Sequence, residues 1–221
     1  MIRVLLVDDH HLVRMCIGKM LAAVHGIKVV GEAASGEEAL RLVKQASPQV
    51  ILMDVRMPGM GGVEATRKLL RQNPELRILV LTTMVNEVYS ERVLQNGAAG
   101  YITKDCDAEE MLQAIRTVHA GKQYLSPVIA NRLALRHVRA DPRSAVVNAL
   151  SERELLVLTM LVQGSSVSEV AANLYLSAKT INSYRYRIFE KLNVKNDIEM
   201  ALAAVRLGLV EPDDMPASEM G

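Results

Sequence analysis

The first 120 residues alternate between short apolar runs and amphipathic helical patterns, and few folds accommodate that order. Residues 2–7 (IRVLLV) form the first apolar run, which ends at Asp8-Asp9. The pattern that follows is helical, with Leu12, Met15, Cys16, Met20 and Leu21 on one face. Residues 28–33 make a second run, and Ser35-Gly-Glu-Glu38 then has the spacing of a capping box that opens a helix. Residues 50–53 lead into Asp54, and Met57-Pro58-Gly59 stops that run. A helix over 63–72, a strand over 77–81 ending at Thr82-Thr83, and a helix over about 87–96 come next. A short strand over 99–103 ends at Lys104, and Asp107-Ala-Glu-Glu110 caps a last helix to about residue 120. Five strand–helix units in strict alternation predict an α/β fold, a doubly wound parallel sheet of five strands with helices on both faces.

Sites in such sheets lie beyond the carboxyl ends of the strands, near the point where strand order reverses. Asp8, Asp9, Asp54, Thr82 and Lys104 all fall at carboxyl ends, delivered by four separate strands. Each has an ordinary reading alone: Asp54 as a turn cap, Thr82 as a strand-end hydroxyl, Lys104 as a solvated charge. Together they match one chemistry. Clustered carboxylates repel unless a hard cation joins them, and Mg²⁺ suits one or two direct carboxylates. A lysine and a hydroxyl opposite would bind the oxygens of a transferring phosphoryl group, with Asp54 as its nucleophile.

The segments LLVDDH, LMDVRMPGMGG, the LTT strand end and AAGYITK resemble the receiver domain of two-component response regulators, of flavodoxin/CheY-like fold, over residues 1–120. The resemblance implies that Asp54 accepts phosphate from a sensor histidine kinase. It implies that Asp8, Asp9 and Asp54 hold Mg²⁺ with the backbone carbonyl of Arg56. Thr82 would be the switch hydroxyl, Tyr101 the aromatic that changes rotamer, and Lys104 the phosphate-binding ammonium. Many receivers place proline after this lysine, whereas Asp105 follows here. A cis bond before a residue other than proline costs about 2.5–4 kcal/mol, which leaves the loop geometry for the structure to decide.

Residues 121–148 read as a linker. Ser126-Pro127 is an N-cap with proline at the first helical position, so a short helix follows, and residues 138–148 with Pro142 read as a flexible tether. The net charge is only +1, with a local basic excess in this linker. Any nucleic-acid signal must therefore be local. The two cysteines have no CxxC spacing, and the five histidines form no metal spacing, His10 and His11 pointing apart on a helix. No apolar run approaches the roughly 18 residues of a membrane span, and the N-terminus is no signal peptide; the expectation is a cytoplasmic protein.

From residue 149 the periodicity is helical. Ser151-Glu-Arg-Glu154 and Ser166-Val-Ser-Glu169 are capping boxes, Gly164 stops the first helix, and Ser177 caps a third over 178–192. A fourth helix covers about 197–208. Two short helices joined by a tight turn, the second polar, suggest a helix-turn-helix. In that second helix Ile181, Tyr184, Ile188 and Leu192 recur at helical spacing for a core face. Lys179, Thr180, Asn182, Ser183, Arg185, Tyr186, Arg187 and Lys191 occupy the other faces, a donor-rich surface that suits a major groove, the alternative on this helix alone being a solvated basic face.

LSERE, EVAANLYLSAKTINSY and IFEKLNV resemble the LuxR-type four-helix DNA-binding domain over residues 149–210. The resemblance implies base contacts from Asn182, Ser183 and Tyr186, backbone contacts from Lys179, Thr180 and Arg187, and dimerisation through the last helix near Ala201, Ala204 and Val205. Residues 211–221 read as a disordered acidic tail. The whole order resembles NarL/FixJ-type response regulators, and KTINSYRYRIFEKL looks closest to the GacA/UvrY global-regulator branch. That branch implies a phosphorylation-switched activator of small regulatory RNAs, dimeric on double-stranded DNA when phosphorylated, and not an enzyme beyond its own phosphoryl transfer. A protein-interaction or phosphorelay module with C-terminal helices that bind protein is the alternative. A metal-assisted hydrolase lacks any evident base or substrate pocket.

Overall fold

The computed structural model describes residues 1–55, 57–82, 87–138 and 144–210. The chain divides into two compact units, the first mainly residues 1–134 and the second mainly the residues from 135 onward. In the first, β1 (Ile2–Val7), β2 (Ile27–Ala33), β3 (Val50–Asp54), β4 (Arg77–Thr82) and β5 (Gly100–Thr103) alternate with helices. These are α1 (His11–Ala22), α2 (Gly36–Ala46), α3 (Gly62–Gln72), α4 (Glu87–Gln95) and α5 (Ala108–His119).

The sheet holds a sixth strand that the sequence pattern does not register. β6 (Tyr124–Leu125) follows α5, and the order is β2-β1-β3-β4-β5-β6 with every pairing parallel. Two residues are too few for an apolar period. The strand exists because the return from α5 lays the chain beside β5, where the Tyr124 and Ser126 amides donate to the Ala99 and Tyr101 carbonyls, both at 3.1 Å.

The inner strands β1, β3, β4 and β5 are buried on both faces, as a covered parallel sheet requires, whereas β2 at the sheet edge is only partly buried. Val4, Leu6, Val50, Leu52, Leu79, Leu81 and Ile102 form one cluster with Leu21 of α1 and Met111, Ala114, Ile115 and Val118 of α5. The alternate residues Leu5, Val7, Ile51, Met53, Ile78 and Val80 are equally buried, on the side where α2 and α3 pack. The α1 face differs from the sequence expectation. Met20 and Leu21 pack with Ile17 and Val24, but Leu12 is 65% exposed, and Met15 and Cys16 lie outside the core. Apolar residues nearly encircle α1, so periodicity alone could not choose the side that meets the sheet.

The linker is more ordered than expected. α6 (Pro127–Val138) begins at Ser126-Pro127 as anticipated, but α7 (Ser144–Ala149) is helical where a tether is read. Val147 of α7 and Leu150 just beyond it are buried in the second unit, and that burial overrides the mixed local polarity. Pro142 and the tail 211–221 lie outside the described residues.

α8 (Glu152–Val162), α9 (Val167–Leu174), α10 (Ala178–Leu192) and α11 (Asp197–Arg206) complete the second unit. Ser151 with Glu154 and Ser166 with Glu169 form the two expected capping boxes; Ser177 and Asn196 cap α10 and α11. Ile181 and Ile188 of α10 are fully buried, with Tyr184 and Leu192 half-buried beside them.

Candidate carboxylate pocket and helix-turn-helix surface

The sheet order reverses between β1 and β3, and these two strands carry Asp8 and Asp54 at their carboxyl ends. Both carboxylates are buried, as is Thr82 at the end of β4, while Asp9 is half-buried. Lys104 Nζ lies 2.6 Å from Asp8 Oδ2 and 2.8 Å from Asp54 Oδ2, so one ammonium spans both acids. Burial works against that ammonium, but Asp54 and Asp8 outweigh it and hold the Lys104 pKa above its ordinary value. The Lys104 amide donates to the Thr82 carbonyl at 2.6 Å and continues the β4–β5 pairing, which sets where the side chain leaves the sheet. Tyr101 of β5 is fully buried.

The loops around the pocket are fixed by close contacts. Arg14 donates to the Asp8 carbonyl, and the His10 amide donates to Asp8 Oδ1 at 2.8 Å. After β3, a Cβ on Gly62 would sit 1.9 Å from the Asp54 carbonyl oxygen, so only glycine fits there. The Gly62 amide donates to the Val55 carbonyl at 2.9 Å, and Glu37 Oε1 accepts from the Met60 amide at 2.8 Å. The Lys104–Asp105 bond is trans, no cis bond being present among the described residues. The chain turns instead through Asp105-Cys106, with the Cys106 amide donating to the Thr103 carbonyl at 3.3 Å. Burial, and after it Glu110, Asp107 and Asp105, pushes the Cys106 thiol up to about 11, which leaves it unreactive at neutral pH.

Asp8, Asp9 and Asp54 thus converge, Lys104 neutralising part of their charge. Their ligating oxygens come within 4.8 Å of one another, a hard-donor set that could hold a metal ion. His10 belongs to the same group. His10 and His11 are not neighbours on one helix, because Asp8-Asp9-His10 curls as a loop before α1, which begins at His11. Arg56, whose carbonyl the sequence reading adds to the set, lies outside the described residues.

In the second unit, α10 presents Lys179, Ser183, Tyr186 and Arg187 to solvent, with Thr180 and Asn182 half-buried. Thr180 Oγ1 is engaged with Ser177 Oγ at 2.8 Å, and Ser183 Oγ donates to the Lys179 carbonyl at 3.0 Å. Two cations of the expected outer face serve the fold. Arg185 pairs with Asp197 of α11 through two hydrogen bonds and lies 5.2 Å from the Phe189 ring centroid. Lys191 Nζ is 2.6 Å from the buried Glu154 Oε2, which ties α10 to α8. Burial would raise the Glu154 pKa, but Lys191 and the Ser151 cap outweigh it and hold it below the usual carboxylate value. Only the partner elements reveal these two roles; a single-helix pattern cannot. On α11, Ala201 and Val205 are half-buried, but Ala204 is fully buried in the unit's own core and cannot meet another molecule. The exposed apolar residues of that helix are Ile198 and Leu202.

Fold and site define a class: a parallel α/β unit with an acidic pocket at its switch point, followed by a helix-turn-helix unit. Residues 4–116 match the response regulator receiver domain, and residues 148–204 match the bacterial regulatory proteins of the luxR family. The chain is 49% identical to the response regulator GacA of Pseudomonas aeruginosa over 211 residues, 96% of this chain and 99% of that protein. It is 43% identical to the response regulator UvrY of Escherichia coli over 215 residues, 97% of this chain and 99% of the other. The solved response regulator RcsB of Salmonella typhimurium has 27% identity and a TM-score of 0.66, covering 93% of this chain and 98% of that one; RcsB has also been solved in complex with DNA. The chain belongs to the two-component response regulators, with a receiver followed by a LuxR-type DNA-binding domain. The alternative, C-terminal helices that bind protein, is not favoured by these matches. No described helix is long and apolar enough to cross a membrane.

Proposed function

We propose that a sensor histidine kinase phosphorylates Asp54 and that this switches DNA binding and transcription activation by residues 149–210 of a cytoplasmic protein. The observation that carries the reading is the single Lys104 ammonium between Asp8 and Asp54. An Asp54 oxygen attacks the phosphorus of a phosphohistidine protonated on its other ring nitrogen; the P–O bond forms as the P–N bond breaks, its electron pair staying on the imidazole, which leaves neutral with that proton. Lys104 and Thr82 hold the oxygens of the transferred group, and Tyr101 follows the change. Asp8, Asp9 and Asp54, with the Arg56 carbonyl, would hold Mg²⁺, which supplies neutralisation of the phosphoryl charge. The carboxylate oxygens are hard donors at suitable separations, so the residues fit the ion.

Residues 1–120 are the receiver in this reading, 121–148 the linker and 149–210 the output domain. Asn182, Ser183 and Tyr186 contact bases, while Lys179, Thr180 and Arg187 contact the phosphate backbone. Pairing two such domains on DNA gives the tight binding that a nearly neutral domain lacks alone, and RcsB bound to DNA as dimers supports this. Ala201 and Val205 remain candidates for that pairing. The likeness to GacA and UvrY supports targets of the global-regulator type, such as small regulatory RNAs.

Incubation with acetyl phosphate and Mg²⁺, followed by phosphate-affinity electrophoresis, tests the acceptor. One hydroxylamine-labile phosphate on the native chain and none on Asp54→Ala is expected; phosphate retained on the variant overturns the assignment. For the interface, Arg187→Ala should reduce the salt slope by about 1 on every sequence, and Asn182→Ala should cost about 1–3 kcal/mol and relax preference at one base.

A further inference from the structure

The acidic pocket has a nitrogen donor at its rim. His10 occupies the N-cap of α1, yet its side chain makes no capping hydrogen bond. Its Nδ1 lies 3.0 Å from Asp9 Oδ1 and 3.4 Å from Asp8 Oδ1. One ligating atom from each of Asp8, Asp9, His10 and Asp54 falls within 4.8 Å of all the others. An octahedral ion with bonds of about 2.1 Å sets adjacent donors about 3 Å apart and opposite donors about 4 Å apart. The imidazole therefore stands from the Asp8 and Asp9 carboxylates at about the separation of adjacent ligands on one ion, while the group as a whole, within 4.8 Å, would have to draw in slightly to close on it. The His10 amide bond to Asp8 Oδ1 at 2.8 Å fixes the residue against the pocket.

The donor's chemistry decides which ion gains. Mg²⁺ takes oxygen ligands and dehydrates reluctantly, so an added imidazole does little for it. Imidazole suits borderline ions, whose affinities rise from Mn²⁺ through Co²⁺ to Ni²⁺. We propose that His10 is a further metal ligand, which makes this pocket prefer a first-row transition ion to Mg²⁺ more strongly than its carboxylates alone would. The proposal rests on the metal-binding reading of Asp8, Asp9 and Asp54. A simple ion pair of His10 with Asp9 would explain the 3.0 Å separation without a metal, and it would confer no discrimination between ions.

The test is competition at the pocket itself. Bound Mn²⁺, followed by the loss of its free electron paramagnetic resonance signal, is displaced from the full chain by Mg²⁺ or by Ni²⁺. Competition removes the contribution of surface histidines elsewhere. In His10→Ala the Ni²⁺-to-Mg²⁺ affinity ratio should fall by about tenfold or more, with Mg²⁺ affinity kept within about twofold. His10→Gln, which retains a polar side chain without the imidazole, should behave the same way. The ring is 66% exposed, so its removal opens no core cavity, and circular dichroism should match the native chain. An unchanged ratio in His10→Ala, or a native ratio in His10→Gln, overturns the proposal while leaving the carboxylate site standing. Mn²⁺ binding that survives Asp9→Asn would instead overturn the carboxylate site and the proposal with it.

Discussion

Gly62 packs so tightly against Asp54 that a Cβ at this position would lie 1.9 Å from the Asp54 carbonyl oxygen. The backbone that carries the proposed phosphoacceptor is thus held by the first residue of α3. Gly62→Ala must displace one or the other, at a cost of about 1–3 kcal/mol. Urea unfolding should show that loss, and acetyl phosphate labelling should fall with it. A native midpoint in the variant would mean that the loop yields without cost.

Lys104 compensates two buried acids. Lys104→Met leaves both without that partner, and breaking a buried pair costs about 3–5 kcal/mol. The folded-state pKa is raised above the ordinary 10.5. Its stabilisation is therefore fully present below 10.5 and is lost as pH rises through the higher folded value. The stability gap between native and variant chains should stay constant from neutral pH upward and narrow only above 10.5. A gap that closes below pH 9 would contradict the pairing.

Glu154 behaves in the opposite sense in the second unit. Its folded pKa is lowered from 4.5 by Lys191 and Ser151, against the opposing effect of burial. Its stabilisation is present above 4.5 and is lost as pH falls through the lower folded value. Thermal melts of Glu154→Gln and the native chain should differ at pH 7 and converge only as the pH falls below 4.5 and through the lowered folded value. Equal melting at pH 7 would show that the Glu154–Lys191 bridge contributes nothing.

Tyr175 ends α9 in the left-handed region at φ +53°, 80% exposed. A side chain there costs about 1–2 kcal/mol that glycine avoids, less the entropy that glycine adds to the unfolded chain. Tyr175→Gly should therefore raise the melting temperature by a few degrees, as about 0.5–1 kcal/mol would. A lower melting temperature would show that the phenol ring makes a stabilising contact.

The five longer strands and the serine caps were legible because each rests on a local signal, a run of apolar residues or a Ser-x-x-Glu spacing. Asp8, Asp54, Thr82 and Lys104 were legible as a set because strand ends in a parallel sheet share one edge. What stayed hidden depended on partners distant in sequence. β6 exists only through β5, and the inward side of α1 is chosen by the sheet. Arg185 and Lys191 look like solvent-facing cations until α11 and α8 bring Asp197 and Glu154 to them. Ala204 looks like a surface residue until the other helices of its unit cover it.

The most direct measurement is DNA binding by the full chain with and without acetyl phosphate and Mg²⁺, beside Asp54→Ala. A coupled receiver and output domain should give a donor-dependent gain in affinity that the variant lacks, with salt-dependent, sequence-preferring binding in each case. Equal binding by the native chain in both conditions would leave the LuxR-type domain on DNA but contradict its control by phosphate at Asp54.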